Sequence, residues 1–195
     1  MSAPQPDDWK GWRREQRRRL LEARNALPSA TRRALSARVI ANLDTALGDL
    51  PVATLGLYWP IKREIDLLEW ARHLSAERGI ALALPVITAP KQPLDYCVWQ
   101  PGAPLRPGVW NIPEPAEKQF IAPEIVIAPL VGFCGCWRLG YGGGYFDRTL
   151  AARNPRPLAI GIGFDESELT DFAPQKHDLA MKLIVTESRI VGSAK

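Results

Sequence analysis

Histidine and cysteine are scarce in this chain of 195 residues, which has two of the first, His73 and His177, and three of the second, Cys97, Cys134 and Cys136. Three cysteines at no disulfide-framework spacing argue against a disulfide-stapled fold and fit a reducing compartment. Cys134-Gly135-Cys136 offers two thiolates, but a structural zinc site takes four ligands and no second pair follows. Long apolar runs are missing too, and nothing approaches the ~20 residues of a membrane helix. Met1 to Asp8 lacks the charged-then-apolar order of a signal peptide, so the expected location is the cytoplasm. Neither an internal repeat nor an interdomain linker is visible.

What is present is ordinary for a soluble globular chain, with 46% hydrophobic and 24% charged residues. The length suffices for one α/β domain with a real core. Charge is unevenly spread: the net +4 arises because residues 9–40 hold ten basic and two acidic residues, a local +8. Such a cluster serves nucleic acid, an anionic small molecule, or a solvated helix.

Residues 1–8, short, polar and proline-containing, are expected to be a disordered tail before a single domain over 9–195. Trp9 to Leu27 reads as an amphipathic helix, with Trp9, Trp12, Gln16, Leu20, Ala23 and Leu27 at three-to-four-residue spacing. Arg13, Arg17 and Arg24 form a row on a neighbouring face, able to reach one polyanion. A second helix is expected from Ser29 as N-cap to Gly48, with Leu35, Val39, Leu43 and Leu47 inward. Val52–Tyr58 and Ile80–Val86 read as strands around a helix over Ile65–Arg78, closed by Gly79. That βαβ unit implies parallel pairing. Asp95–Trp99 reads as a short antiparallel edge strand. Val109–Pro115 cannot be a helix, given its prolines. Leu158–Phe164 and Leu183–Thr186 are two more strands. The expected fold is α/β: one three-layer domain, a mostly parallel sheet with helices on both faces. Ligands of such sheets sit beyond the carboxyl ends of the strands, where Tyr58, Glu64 and the next stretch fall.

That stretch is Arg138-Leu139-Gly140-Tyr141-Gly142-Gly143-Gly144-Tyr145-Phe146-Asp147-Arg148, with four glycines in five positions. It follows an apolar run, Glu124–Phe133, that reads as a buried strand, with Ile125–Leu130 the strand feeding the loop, and it opens a helix over Tyr145–Arg153. Glycine lets amide N–H groups face a ligand, and a helix start favours an anion. Arg138 and Arg148 bracket the loop with fixed charge, and Asp147 is suited to hold a cation beside a phosphate. The pattern is neither G-x-G-x-x-G nor G-x-x-x-x-G-K-[ST]. A tight connection without a ligand is the plain alternative.

With Tyr58-Trp59-Pro60-Ile61-Lys62-Arg63-Glu64 and Trp110-Asn111-Ile112-Pro113-Glu114-Pro115 before it, this block resembles the 5-formyltetrahydrofolate cyclo-ligase (5,10-methenyltetrahydrofolate synthetase) family. The likeness runs from about Arg13 to Ser188. It implies an ATP- and Mg²⁺-dependent closure of 5-formyltetrahydrofolate by a monomer whose partners are reduced folate and ATP, with no nucleic acid and no membrane. It assigns Arg13 and Arg17 to ATP, with Lys10 and Arg14 the same pattern one turn out of register. Arg138, Leu139, Gly140, Tyr141, Gly142, Gly143, Gly144, Tyr145 and Phe146 match the phosphate loop. Arg138 and Tyr145 are its catalytic candidates. Trp59, Glu64, Trp110, Tyr141 and Tyr145 match the folate pocket, and Asp147 and Asp178 match the Mg²⁺ ligands. Where the family has Phe-Asp-x-x-Gly-x-Arg, this chain has the shorter Phe133-Cys134-Gly135-Cys136-Trp137-Arg138. Plainer roles stand beside these: Trp110 as core, Glu64 capping a helix with Asp66, Asp147 serving the helix dipole. An ATP-binding paralogue without folate turnover and an RNA-binding module on the arginine-rich helix are the competing functions.

Overall fold

A computed structural model describes residues 8–192. Residues 1–7 of the expected tail lie outside those described. Asp8 does not belong to a tail, because its carboxylate accepts from the Gly11 amide at 2.8 Å and caps the first helix.

In chain order the elements are α1 Trp9–Ala26, α2 Ser29–Leu47, β1 Thr54–Gly56, α3 Leu68–Arg78, β2 Ala81–Val86, β3 Asp95–Val98, β4 Leu105–Pro107, β5 Pro113–Pro115, β6 Ile125–Pro129, β7 Gly132–Cys134, β8 Trp137–Leu139, α4 Tyr145–Ala152, β9 Leu158–Ile162, β10 Leu183–Val185 and β11 Ile190–Gly192. The main sheet has seven strands in the order β11-β10-β9-β6-β1-β2-β3. Its five central strands are parallel, and the edges β11 and β3 are antiparallel.

Side-chain alternation sorts the core onto two faces. Leu82, Leu84, Ile125, Ile127, Ile160, Ile162, Leu183 and Val185 pack with Val39, Leu43 and Leu47 of α2 and Ala71 and Leu74 of α3. The residues between them, Ala83, Val126, Ala128, Ala159 and Ile184, face the other way, towards Phe146 and Leu150 of α4. Helices therefore cover both faces. Chain order along the sheet reverses between β1 and β6, which opens a crevice at their carboxyl ends.

Several local expectations need correction. Ser29 is the first helical residue rather than the N-cap; Pro28 occupies the cap, and no side chain bonds there. Ala23 is exposed, and the buried positions of α1 are Arg13, Leu20 and Arg24. That helix is held by its guanidinium groups as much as by its apolar stripe. The apolar run into Phe133 is two strands: β6 ends at Pro129, and β7 pairs with β8 as a small hairpin in which Phe133 lies opposite Arg138. Gly135, at φ 53°, turns that hairpin, so the shortened segment is absorbed in its turn. Val109–Asn111 forms a single 3-10 turn before β5, within the stretch expected to hold no helix.

Candidate active site

A cleft of about 830 Å³ opens over the carboxyl ends of β1, β2 and β6. α1 supplies one wall through Trp9, Arg13 and Arg17. The segment after β1 supplies Tyr58, Trp59, Lys62 and Glu64, and the glycine-rich loop lies across the floor. Of the two basic pairs in the sequence, Arg13 and Arg17 line the cleft, and Lys10 and Arg14 are not among its lining residues.

The loop's carbonyls are held from behind. Arg17 Nε donates to Gly140 O at 2.7 Å, and an Arg148 Nη2 donates to Gly143 O. Gly142 and Gly144 take φ 98° and 67°, a region that excludes ordinary side chains. Among the described residues, the amides of Gly142 to Phe146 donate to no protein group. Unpaired amides at a helix start are the kind of nest that an anion can fill. Arg17 makes no ion pair among the described residues. Burial, and then the like charges of Arg13 and Arg138, lower its pKa. An unneutralised guanidinium beside such a nest favours a phosphate chain.

The other two expected arginines are already engaged. Arg13, 5% exposed, donates to both Asp178 oxygens and to Ala173 O. Arg138, 6% exposed, donates to Pro129 O and to Asp147 Oδ2, each at 3.2 Å, and its guanidinium lies over the Phe146 ring at 5.1 Å. Arg24 donates to Tyr141 Oη at 3.2 Å and to Leu130 O. Of that row Arg13 and Arg17 line the cleft, and Arg24 is buried on Tyr141 and Leu130.

Glu64 lines the same cleft. Its Oε1 accepts from the Tyr141 hydroxyl at 2.7 Å and its Oε2 from the Ile61 amide at 2.8 Å. Burial raises its pKa, while Ile61, Tyr141, Arg24 and Lys62 pull the other way. Asp66 caps α3 through the Leu68 amide, so Glu64 is free of that duty. Tyr58 donates to Ile65 O at 2.5 Å and braces the same turn. Trp110 is not core: it is 69% exposed at the cleft mouth, with its ring 5.9 Å from that of Tyr145 at 80°. Lys62 and Trp110, at φ 46° and 57°, hold left-handed backbone that other residues avoid. Such strain gathers where a site fixes its geometry.

Asp147 and Asp178 both line the cleft. Asp147 accepts from Arg138 and the Leu179 amide, and Asp178 from Arg13 and the Gln175 amide. Burial opposes the Asp178 charge, but the Arg13 and Gln175 hydrogen bonds prevail and lower its pKa. Among the described residues no three metal-ligating side chains cluster, which argues against a closed, protein-only metal site.

A sequence model of the 5-formyltetrahydrofolate cyclo-ligase family matches residues 9–187. The chain belongs to that family. A 5-formyltetrahydrofolate cyclo-ligase of Mycoplasma pneumoniae is 25% identical over 173 residues, 88% of this chain and 96% of that protein. The solved Aquifex aeolicus 5,10-methenyltetrahydrofolate synthetase superposes with a TM-score of 0.77 at 27% identity, covering 92% of both chains. A Mycoplasma pneumoniae 5,10-methenyltetrahydrofolate synthetase gives 0.75 at 24% identity over 90% of this chain and 99% of that one, a likeness of fold.

The cleft also contains residues to which the sequence gives no site role. Trp9 and His177 meet at 6.0 Å between ring centroids, beside Arg13 and Asp178. Glu114, buried against Arg106 and Lys118, closes the wall below Trp110. Lys62 and Glu114 lie inside the two tryptophan-containing motifs with no signal of their own, and Trp9 reads in sequence only as part of an apolar stripe.

Proposed function

We propose that this cleft closes 5-formyltetrahydrofolate to 5,10-methenyltetrahydrofolate, converting ATP to ADP and phosphate. The formyl oxygen bonds to the γ-phosphorus as ADP departs. N10 then bonds to the formyl carbon, and the carbon–oxygen bond breaks as phosphate leaves with the N10 proton. The single observation that carries this reading is that the amide nest with Arg17 and the carboxylate of Glu64 open onto one cavity.

Each residue has a definable task. Glu64 accepts N–H donors of the pteridine, and Trp59 and Trp110 flank its plane. The amides of Gly142 to Tyr145 and the Arg17 guanidinium hold the phosphates in line. Arg138 lines the cleft beside the glycine-rich loop and fixes Asp147 while Phe146 packs on its guanidinium. Tyr145 lies beneath Arg148 at 5.0 Å and beside Trp110, between the nucleotide and folate ends. Asp147, with Asp178, would hold Mg²⁺. One or two carboxylates are the protein donors that such a hard cation takes. When bound it would neutralise charge on the phosphates.

The test is to mix the protein with 5-formyltetrahydrofolate, ATP and Mg²⁺ and follow the near-ultraviolet absorbance of the methenyl product. Growth that depends on all three supports the assignment. ATP binding without product would instead mark a nucleotide-binding relative that has lost the folate step.

A further inference from the structure

We propose that Tyr141, backed by the buried Arg24, is the positioning residue that aims Glu64 at two adjacent N–H donors on the substrate ring, a role that rests on the folate reading above. An ionised carboxylate has about four acceptor positions, two on each oxygen. In this structure each oxygen has spent one: Oε1 on the Tyr141 hydroxyl at 2.7 Å and Oε2 on the Ile61 amide at 2.8 Å. One position remains on each oxygen. That leaves a matched pair for neighbouring donors such as the amino group and ring N–H of a 2-amino-4-oxopteridine.

The direction of the Tyr141 hydrogen bond is fixed by its other neighbour. Arg24 carries only donors, and its Nη1 lies 3.2 Å from the Tyr141 oxygen. The oxygen must therefore accept from Arg24, and the hydroxyl proton is left for Glu64. Arg24 itself cannot wander, because it also donates to Leu130 O at the end of β6 and is 4% exposed. Lys62 Nζ lies 5.2 Å over the Tyr141 ring and holds it from the other side. The groups that face Glu64 are thus Tyr141, Arg24, Lys62, Tyr58 and the Ile61 amide. Burial favours the protonated acid, and the hydroxyl is one of the donors that oppose it. Without the hydroxyl, Glu64 takes up a proton at higher pH and then offers an O–H where the ring needs an acceptor.

The experiment compares Tyr141→Phe, Glu64→Gln and the double variant across pH in the methenyl-forming assay. Tyr141→Phe keeps the ring under Lys62 and leaves Arg24 on Leu130, so the fold is retained, which a melting curve verifies. The expected result is a rise of about tenfold in KM for 5-formyltetrahydrofolate, the scale of one hydrogen bond to a charged group. KM for ATP should stay within about twofold, as uniform binding of the other substrate requires. The acid limb of kcat/KM for the folate should move to higher pH. The double variant should be no worse than Glu64→Gln alone, because Tyr141 acts through Glu64. An unmoved acid limb with an unchanged folate KM, or losses that simply add, would overturn the proposal. If the wild type forms no methenyl product, the folate reading fails separately. The link is then read in ligand-free protein from the carboxyl carbon resonance of Glu64, which titrates higher in Tyr141→Phe if the proposal holds and identically if it does not.

Discussion

Glu64 is subject to two opposed demands. On the proposed folate reading the substrate needs it ionised and aimed, whereas its burial favours the acid form and raises its pKa above the ordinary 4.5. A carboxyl with a raised folded-state pKa contributes stability below its unfolded value, and that contribution is lost as pH rises through the folded value. At neutral pH its charge is therefore a net cost to the fold. Glu64→Gln should match or exceed the wild-type melting temperature at pH 7 while folate KM rises by about an order of magnitude or more. The melting advantage of the variant should shrink as pH is lowered towards 4.5. Arg138 is the reverse case. Removing it leaves Asp147, part-buried at the cleft, with the Leu179 amide, and the Pro129 carbonyl without its donor. Arg138→Ala should cost about 1–3 kcal/mol of stability, the scale of a buried polar group left unsatisfied. A denaturant titration checks this, and a loss of ATP use at an unchanged unfolding midpoint would contradict it.

At the scale of elements, the glycine-rich loop and α4 were legible because nothing else explains so many glycines before a helical run. Gly142 tests the loop directly. At φ 98°, a Cβ there would stand 3.4 Å from the Arg17 Cζ. Gly142→Ala should carry about 1–3 kcal/mol of backbone strain and displace Arg17 from Gly140. KM for ATP should rise while folate binding, measured by calorimetry without nucleotide, stays as it was. The β7–β8 hairpin was not legible. Its strands are three residues each, and the apolar run from Ile125 into Phe133 shows no period that breaks at Pro129. The buried face of α1 escaped for a different reason. Hydrophobic periodicity finds faces that bury carbon, and this one buries Arg13 and Arg24 against acceptors supplied by remote segments. The sheet order could be partly inferred from the βαβ unit, because alternation and parallel pairing are local consequences of the pattern.

At the scale of the whole molecule, α1 joins the cleft only through partners far along the chain. Arg24 meets Tyr141, Arg17 meets Gly140 and Arg13 meets Asp178, at separations of 117, 123 and 165 residues. Asp178 has a lowered pKa, so its pairing contributes stability at neutral pH that is lost as pH falls through that lowered value. Asp178→Asn should accordingly flatten the acid side of the melting profile and cost stability chiefly near neutrality.

Those separations also set an order of events. Closing so long a span costs chain entropy before any contact rewards it, and local helices and neighbouring strands form sooner. During refolding, far-ultraviolet circular dichroism should recover ahead of the indole fluorescence of Trp9 and Trp12. Nucleotide protection should appear only in the later phase. A molecule caught between the two phases would possess its scaffold and still lack a catalytic chamber.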